Sequence, residues 1–276
     1  MTTKAYYLPE SLDEALGLLA QHGPNLLVMA GGTLAMPLIT KGISQPERVM
    51  GLRRAGLTYV REAGGSVVIG AATPLTLVLN YKGLPILPQA AHNIGGWAIR
   101  NMGTAGGNLF APPPAGDLVV ALLALDASLK LANAKRQRVV PLAGFFTGFM
   151  SNVLEPDELV GEIQVPKPQG ATALIKHGRL HTDTPTVVGV ATRIVWDGRK
   201  VKEARVALNG VGPYPMRARK AEAILVGKEL DEAAIAAAAA SAAAESEPFT
   251  DPIASEWYRR KMTDLFVRRA LAQVAA

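Results

Sequence analysis

The chain contains no cysteine. That one absence excludes disulfides, thiolate zinc sites, cysteine nucleophiles and Cys-ligated iron–sulfur clusters, so any metal redox centre of this kind must lie in another polypeptide. Aromatic residues are scarce at 5%, and no dense block of one charge is present. The 29 Lys and Arg against 23 Asp and Glu leave a formal charge of +6, spread along 276 residues without interleaved aromatics. This pattern suits a solvated basic surface or an acidic partner, and it argues against nucleic acid. Long hydrophobic runs are also missing. Gly, Pro or charge interrupts every apolar stretch short of the ~20 residues that a membrane helix needs, and acids flank the Ala-rich segment 233–244. The N-terminus has one early lysine and then carboxylates, unlike the charged-then-apolar order of a secretory signal, so a cytoplasmic protein is expected. GxGxxG, GxxxxGK[ST], HExxH and GxSxG are all absent, so the usual dinucleotide, P-loop, zincin and hydrolase motifs are unsupported.

What is present reads as a mixed chain. Ser11 followed by Glu14 forms a capping box that opens a helix carrying Leu12, Ala15, Leu16 and Leu19 on one face, ending at His22–Gly23–Pro24. The turn-bounded apolar run 26–30 predicts a buried strand leading directly into Gly31–Gly32–Thr33. Further on, 67–70 reads as a strand, 75–80 as a helix and 86–94 as an apolar segment. That segment runs into a glycine-rich turn at 99–108, a proline-rich loop and a helix over 117–126. Runs at 129–132, 138–141 and 159–165 suggest sheet. The Pro/Gly-rich stretch 166–170 is the best boundary. Beyond it come strands (171–176, 186–196, 203–209) and then helices (218–226, 232–244, 256–274), so the fold class is α+β.

The chemistry concentrates in two glycine loops, Ala30-Gly-Gly-Thr-Leu-Ala-Met-Pro37 and Thr104-Ala-Gly-Gly-Asn108. Backbone N–H groups can hold a dinucleotide pyrophosphate without lysine. The chain must then approach the phosphates closely and reach positive φ, which glycine allows. Thr33, Thr104 and Asn108 would add side-chain donors. Each loop alone is more often an ordinary tight turn. His177 and His181 stand four apart with Arg179 between them, but the β-rich surroundings and the lack of a third ligand favour strand or surface histidines over a metal pair. Asp183 could orient a histidine, yet no nucleophile completes a hydrolase. Trp97, just before the second loop, is a candidate for stacking on a bound ring or for a core or interface role.

Residues 30–39 (AGGTLAMPLI), 99–108 (IRNMGTAGGN), 114–117 (PAGD) and 121–127 (ALLALDA) resemble the FAD-binding subunits of carbon monoxide dehydrogenase, bacterial xanthine dehydrogenase and related molybdenum hydroxylases. Residues 206–211, Pro215-Met-Arg-Ala218, Ala221-Glu222, Leu225-Val-Gly227 and Ser255-Glu-Trp-Tyr-Arg259 are similar to that family's last domain, so nearly the whole chain is covered. The resemblance implies a two-part FAD-binding region of the vanillyl-alcohol-oxidase type, 1–54 and 55–170, followed by a smaller α+β domain, 171–276. Ala30, Gly31, Gly32, Thr33 and Leu34 would form one pyrophosphate loop, and Thr104, Ala105, Gly106, Gly107 and Asn108 the other. Asp117 matches the family acid beside the ribityl–phosphate portion, Lys176 a lysine near the flavin, and Arg100 and Asn101 shape the turn. Leu34 and Ala35 stand where the family is usually polar, and Ala111-Pro-Pro-Pro114 where it is less proline-rich, which alters side-chain contacts but not backbone ones. The implied function is an electron relay through FAD, fed by a small [2Fe–2S] subunit within a hetero-oligomer, a dimer of heterotrimers, that also holds a large molybdenum-cofactor subunit. The alternatives are a stand-alone FAD-dependent oxidoreductase of the same fold and a non-catalytic nucleotide-binding interaction subunit.

Overall fold

The computed structural model describes residues 3–112, 116–167, 169–180 and 184–275. The first layer holds β1 (Ala5–Tyr7), α1 (Leu12–His22), β2 (Leu26–Met29), α2 (Ala35–Thr40) and β3 (Arg48–Gly51). Ser11 Oγ accepts the Glu14 N–H at 3.1 Å, as the capping spacing predicts. Glu14 accepts in return from the Glu10 N–H at 2.7 Å, one residue further out than a standard capping box would place it. The helix stops at Gly23, whose φ of 53° is open to glycine at little steric cost. The strands form a parallel sheet in the order β1-β3-β2. Parallel neighbours need crossovers, which α1 and α2 supply, and α1 buries Ala15, Leu16 and Leu19 against Leu26 and Met50.

The second layer contains β4 (Val60–Ala63), β5 (Ser66–Gly70), α3 (Leu75–Leu79), α4 (Ile86–His92), α5 (Trp97–Met102), α6 (Ala105–Leu109) and α7 (Asp117–Ala124). It continues with β6 (Ser128–Ala132), β7 (Gln137–Pro141), the short pair β8 (Phe146–Gly148) and β9 (Ser151–Asn152), and β10 (Leu159–Pro166). Its antiparallel sheet has the order β4-β5-β10-β6-β7. The inward side chains Val67, Ile69, Leu129, Leu131, Ile163 and Val165 share one core with α3, α4, α6 and α7. The turn expected at 99–108 is in fact two short helices broken at Gly103, because Gly103 is extended (φ −63°, ψ 143°) and gives its carbonyl to the Leu75 N–H at 2.9 Å.

The third layer runs β11 (Ala171–Gly178), β12 (Thr186–Asp197), β13 (Lys200–Asn209), β14 (Met216–Arg217), α8 (Arg219–Leu225), α9 (Glu232–Glu245) and α10 (Glu256–Ala275). The strands form an antiparallel sheet in sequence order. The first ten residues of β12 are all buried, because α10 packs against the strand and α7 against it as well. All eight residues of α7 are likewise buried. A helix apolar all round must be enclosed, and this one lies between the second layer and the C-terminal sheet. Alanine side chains let α9 pack closely against α8 and α10. Among the described residues no helix is long and apolar enough to cross a membrane. The α+β expectation from the order of elements therefore holds, strands preceding helices in the C-terminal layer.

Candidate functional site

The two glycine loops meet backbone to backbone. A Cβ placed on Gly31 would stand 1.9 Å from the Met102 carbonyl oxygen and 2.9 Å from Gly103 Cα, so only glycine permits this approach. A Cβ on Gly103 would in turn come 3.4 Å from Thr33 Oγ1. Gly32 takes φ +73°, and its carbonyl accepts the Met36 N–H at 2.8 Å, folding the chain back into α2. The N–H groups of Gly31, Gly32, Thr33 and Leu34 find no acceptor among the described residues. Four successive free donors around a positive-φ glycine are the kind of backbone that can hold an anion. Ala30 links this loop to the end of β2, and Leu34 projects outward at 42% exposure.

The second loop is differently employed. Thr104 caps α6, its Oγ1 accepting the Gly107 N–H at 3.0 Å, while Ala105 and Gly106 donate to Thr73 O and Ala71 O, each at 2.9 Å. The Asn108 N–H donates to Thr104 O, and Asn108 Oδ1 accepts the Leu118 N–H at 3.1 Å, capping the start of α7. From Ala105 to Asn108 every N–H is therefore engaged within the protein. This loop braces its neighbour and leaves the open donors to the first. Gly106 lies so close to Ala71 that a Cβ would fall 2.6 Å from its carbonyl oxygen.

Asp117 and Lys176 come together. Lys176 Nζ donates to Asp117 Oδ2 at 2.7 Å and to Asn93 O at 2.8 Å, and Thr186 Oγ1 donates to Asp117 Oδ1. At the far end of α7, Asp126 receives guanidinium groups from Arg193, Arg205 and Arg217. Helix α7 is thus held to the C-terminal sheet by an aspartate at each end. Thr186 and the Asn93 carbonyl carry no signal in the sequence, because a lone threonine at a strand start has no periodicity to betray it. Arg100 and Asn101, expected to shape the second glycine loop, bond elsewhere: Arg100 Nη1 donates to the carbonyls of His92, Ile94 and Gly95 after α4, and Asn101 Oδ1 accepts from Thr76 Oγ1 at 2.6 Å.

Trp97 is 66% exposed and so has no core role. His177 stacks on Phe266 with centroids 4.6 Å apart and lies 3.1 Å from Tyr258 Oη, while burial, and after it the charge of Arg269, pushes its pKa down. His181 and Asp183 lie outside the described residues, as do Pro114 and Ala115 of the proline-rich loop. A cavity of about 70 Å³ follows α6, lined by Phe110, Ala111, Phe146, Met150, Tyr214 and Pro215.

Comparison with known proteins gives the site its context. Residues 2–168 match the family described as the FAD binding domain in molybdopterin dehydrogenase, and residues 175–274 the CO dehydrogenase flavoprotein C-terminal domain. The carbon monoxide dehydrogenase medium chain of Hydrogenophaga pseudoflava is 33% identical, over 96% of this chain and 95% of that one. The glyceraldehyde dehydrogenase medium chain of Sulfolobus acidocaldarius is 30% identical over 98% of both. A crystallised Cu,Mo-CO dehydrogenase chain superposes with a TM-score of 0.93 at 30% identity, covering 100% of this chain and 99% of that one. The free donors and glycine cradle of the first loop suit the pyrophosphate of FAD. The chain therefore belongs to the FAD-binding medium subunits of the molybdenum hydroxylases, an oxidoreductase subunit with FAD as its cofactor.

Proposed function

We propose that this chain relays electrons through FAD, from [2Fe–2S] clusters of a small partner subunit to an external acceptor, within an assembly that also contains a large molybdenum-cofactor subunit. The observation that carries the reading is the row of four unengaged N–H groups from Gly31 to Leu34, held against the Met102–Gly103 backbone. These donors would bind the pyrophosphate, with Ala30 setting the loop's exit from β2. Thr104, Ala105, Gly106, Gly107 and Asn108 would contribute by bracing and shaping, since the N–H groups from Ala105 to Asn108 are engaged. Asp117 and Lys176 would hold the C-terminal domain against the FAD-binding region and set the polar wall between the two. The units are proposed as 1–54, 55–170 and 171–276. Bound flavin takes up electrons singly and releases them singly or as a pair, which joins one-electron carriers to two-electron acceptors. With no cysteine, this chain cannot ligate the clusters itself. The relatives' printed names, "medium chain" and "FAD-subunit", support a multi-subunit setting.

The test is purification of the tagged chain from its native cells, followed by metal analysis and anaerobic reduction. Co-purifying subunits that carry iron and molybdenum, and a flavin bleached by the organic substrate only when those subunits are present, are expected. Rapid bleaching of the isolated FAD-loaded chain by that substrate would overturn the relay and favour a stand-alone flavoenzyme.

A further inference from the structure

Resting on the reading that this chain holds FAD, we propose that Arg100 is a positioning residue whose buried positive charge the protein leaves unbalanced and the anionic dinucleotide neutralises. Two cations hold the turn that follows α4. Lys176 Nζ takes the Asn93 carbonyl at 2.8 Å, and Arg100 Nη1 takes those of His92 at 3.2 Å, Ile94 at 3.3 Å and Gly95. Four consecutive carbonyls are thus turned onto two side chains. Only one of these cations has a counter-ion: Lys176 meets the Asp117 carboxylate at 2.7 Å. Arg100 is 9% exposed and forms no ion pair among the described residues, and its Nε is buried without an acceptor.

Carbonyl dipoles solvate a guanidinium but do not cancel its charge, and a buried charge is ordinarily paired. The placement of Arg100 suggests what completes it. Helix α5 carries Arg100 and ends at Met102, whose carbonyl lies against Gly31 of the loop with the open donors. The pyrophosphate is the anionic part of FAD, so the helix whose last carbonyl lies against the loop of open donors also holds a cation lacking an anion. The apo chain then bears an electrostatic penalty that FAD binding removes, and by linkage that penalty becomes affinity.

The competing account is a cap: α4 ends at His92, and an arginine on its last carbonyls would stabilise the helix whatever is bound. A cap supports apo and FAD-loaded protein alike, whereas an unbalanced charge favours only the loaded form. The experiment compares the full-length wild-type chain with Arg100→Gln, Arg100→Met and Arg100→Lys. It measures the FAD dissociation constant by flavin fluorescence and the melting midpoint with and without FAD. The neutral variants are expected to bind FAD at least about tenfold more weakly, with an apo midpoint unchanged or raised, and Arg100→Lys should recover part of the affinity. Unchanged affinity, an apo midpoint that falls as far as the loaded one, or neutral variants that do not fold would each overturn the proposal. A wild-type chain that binds no FAD would instead bring down the functional reading beneath it.

Discussion

Asp117 and Lys176 form an ion pair at 2.7 Å between the first residue of α7 and β11, with side chains only 11% and 15% exposed. Removing one member of so enclosed a pair strands the other charge away from water. Asp117→Ala and Lys176→Met are each expected to destabilise the chain by about 3 kcal/mol, apo as well as FAD-loaded. The double variant Asp117→Ala/Lys176→Met should lose less than the sum of the two. Urea unfolding of the four proteins measures the coupling, and strictly additive losses would contradict a direct interaction.

The glycines of the two loops are not equivalent. At Gly31 a Cβ meets the Met102 carbonyl at 1.9 Å, backbone against backbone, whereas at Gly107 it meets only Thr104 Oγ1 at 2.9 Å. Gly31→Ala should therefore lose roughly 2 kcal/mol or more, and Gly107→Ala less than about 1 kcal/mol. Thermal unfolding of the apo variants is the measurement. Equal losses would mean that the loops are not pressed together at Gly31.

Asp126 stands at φ 53° and accepts from Arg193, Arg205 and Arg217. Asparagine tolerates that left-handed backbone, so Asp126→Asn removes the charge while keeping the turn. Each arginine keeps a second carboxylate, Glu203 for Arg193 and Arg205 and Glu222 for Arg217, so a loss of roughly 1–3 kcal/mol is expected. Limited proteolysis should also cut faster near the α7–β13 contact. A variant as stable and as protease-resistant as wild type would show that the three arginines need no common acceptor.

His177 is kept neutral by burial, with Arg269 adding repulsion to its charged form. Its pKa is lowered on folding, so below about pH 6.5, the ordinary value, the unfolded chain binds the extra proton. The histidine's contribution is then present above that pH and lost as pH falls through the folded pKa. His177→Gln should shrink the drop in melting midpoint between neutral and mildly acidic buffer. An identical drop in both proteins would assign the acid sensitivity elsewhere.

Much of this protein was readable from local chemistry. The Ser11 cap, the Gly23 stop, the long C-terminal strands and helices, and the family-bearing stretches at 30–39 and 99–108 all depend on neighbours close in the chain. Strands β1, β3 and β4 were not recognised, because three or four residues offer too little alternation and owe their existence to partners elsewhere. The segment 99–108 looked like a single turn, and only its docking on residues 71–75 makes it two helices.

What the sequence determined by itself was the class and the cofactor logic: no cysteine to hold a cluster, and two glycine loops. What only the tertiary structure decided was how those parts share the work. Both loops carry Ala-Gly-Gly and a threonine, yet the first keeps the N–H groups of 31–34 free while the second spends those of 105–108 on Thr73, Ala71 and Thr104. Asp117 and Lys176, 59 positions apart, are partners, and Arg100 has none of opposite charge among the described residues. A donor's availability and a charge's balance depend on what lies opposite in space, and residues distant in sequence settle both.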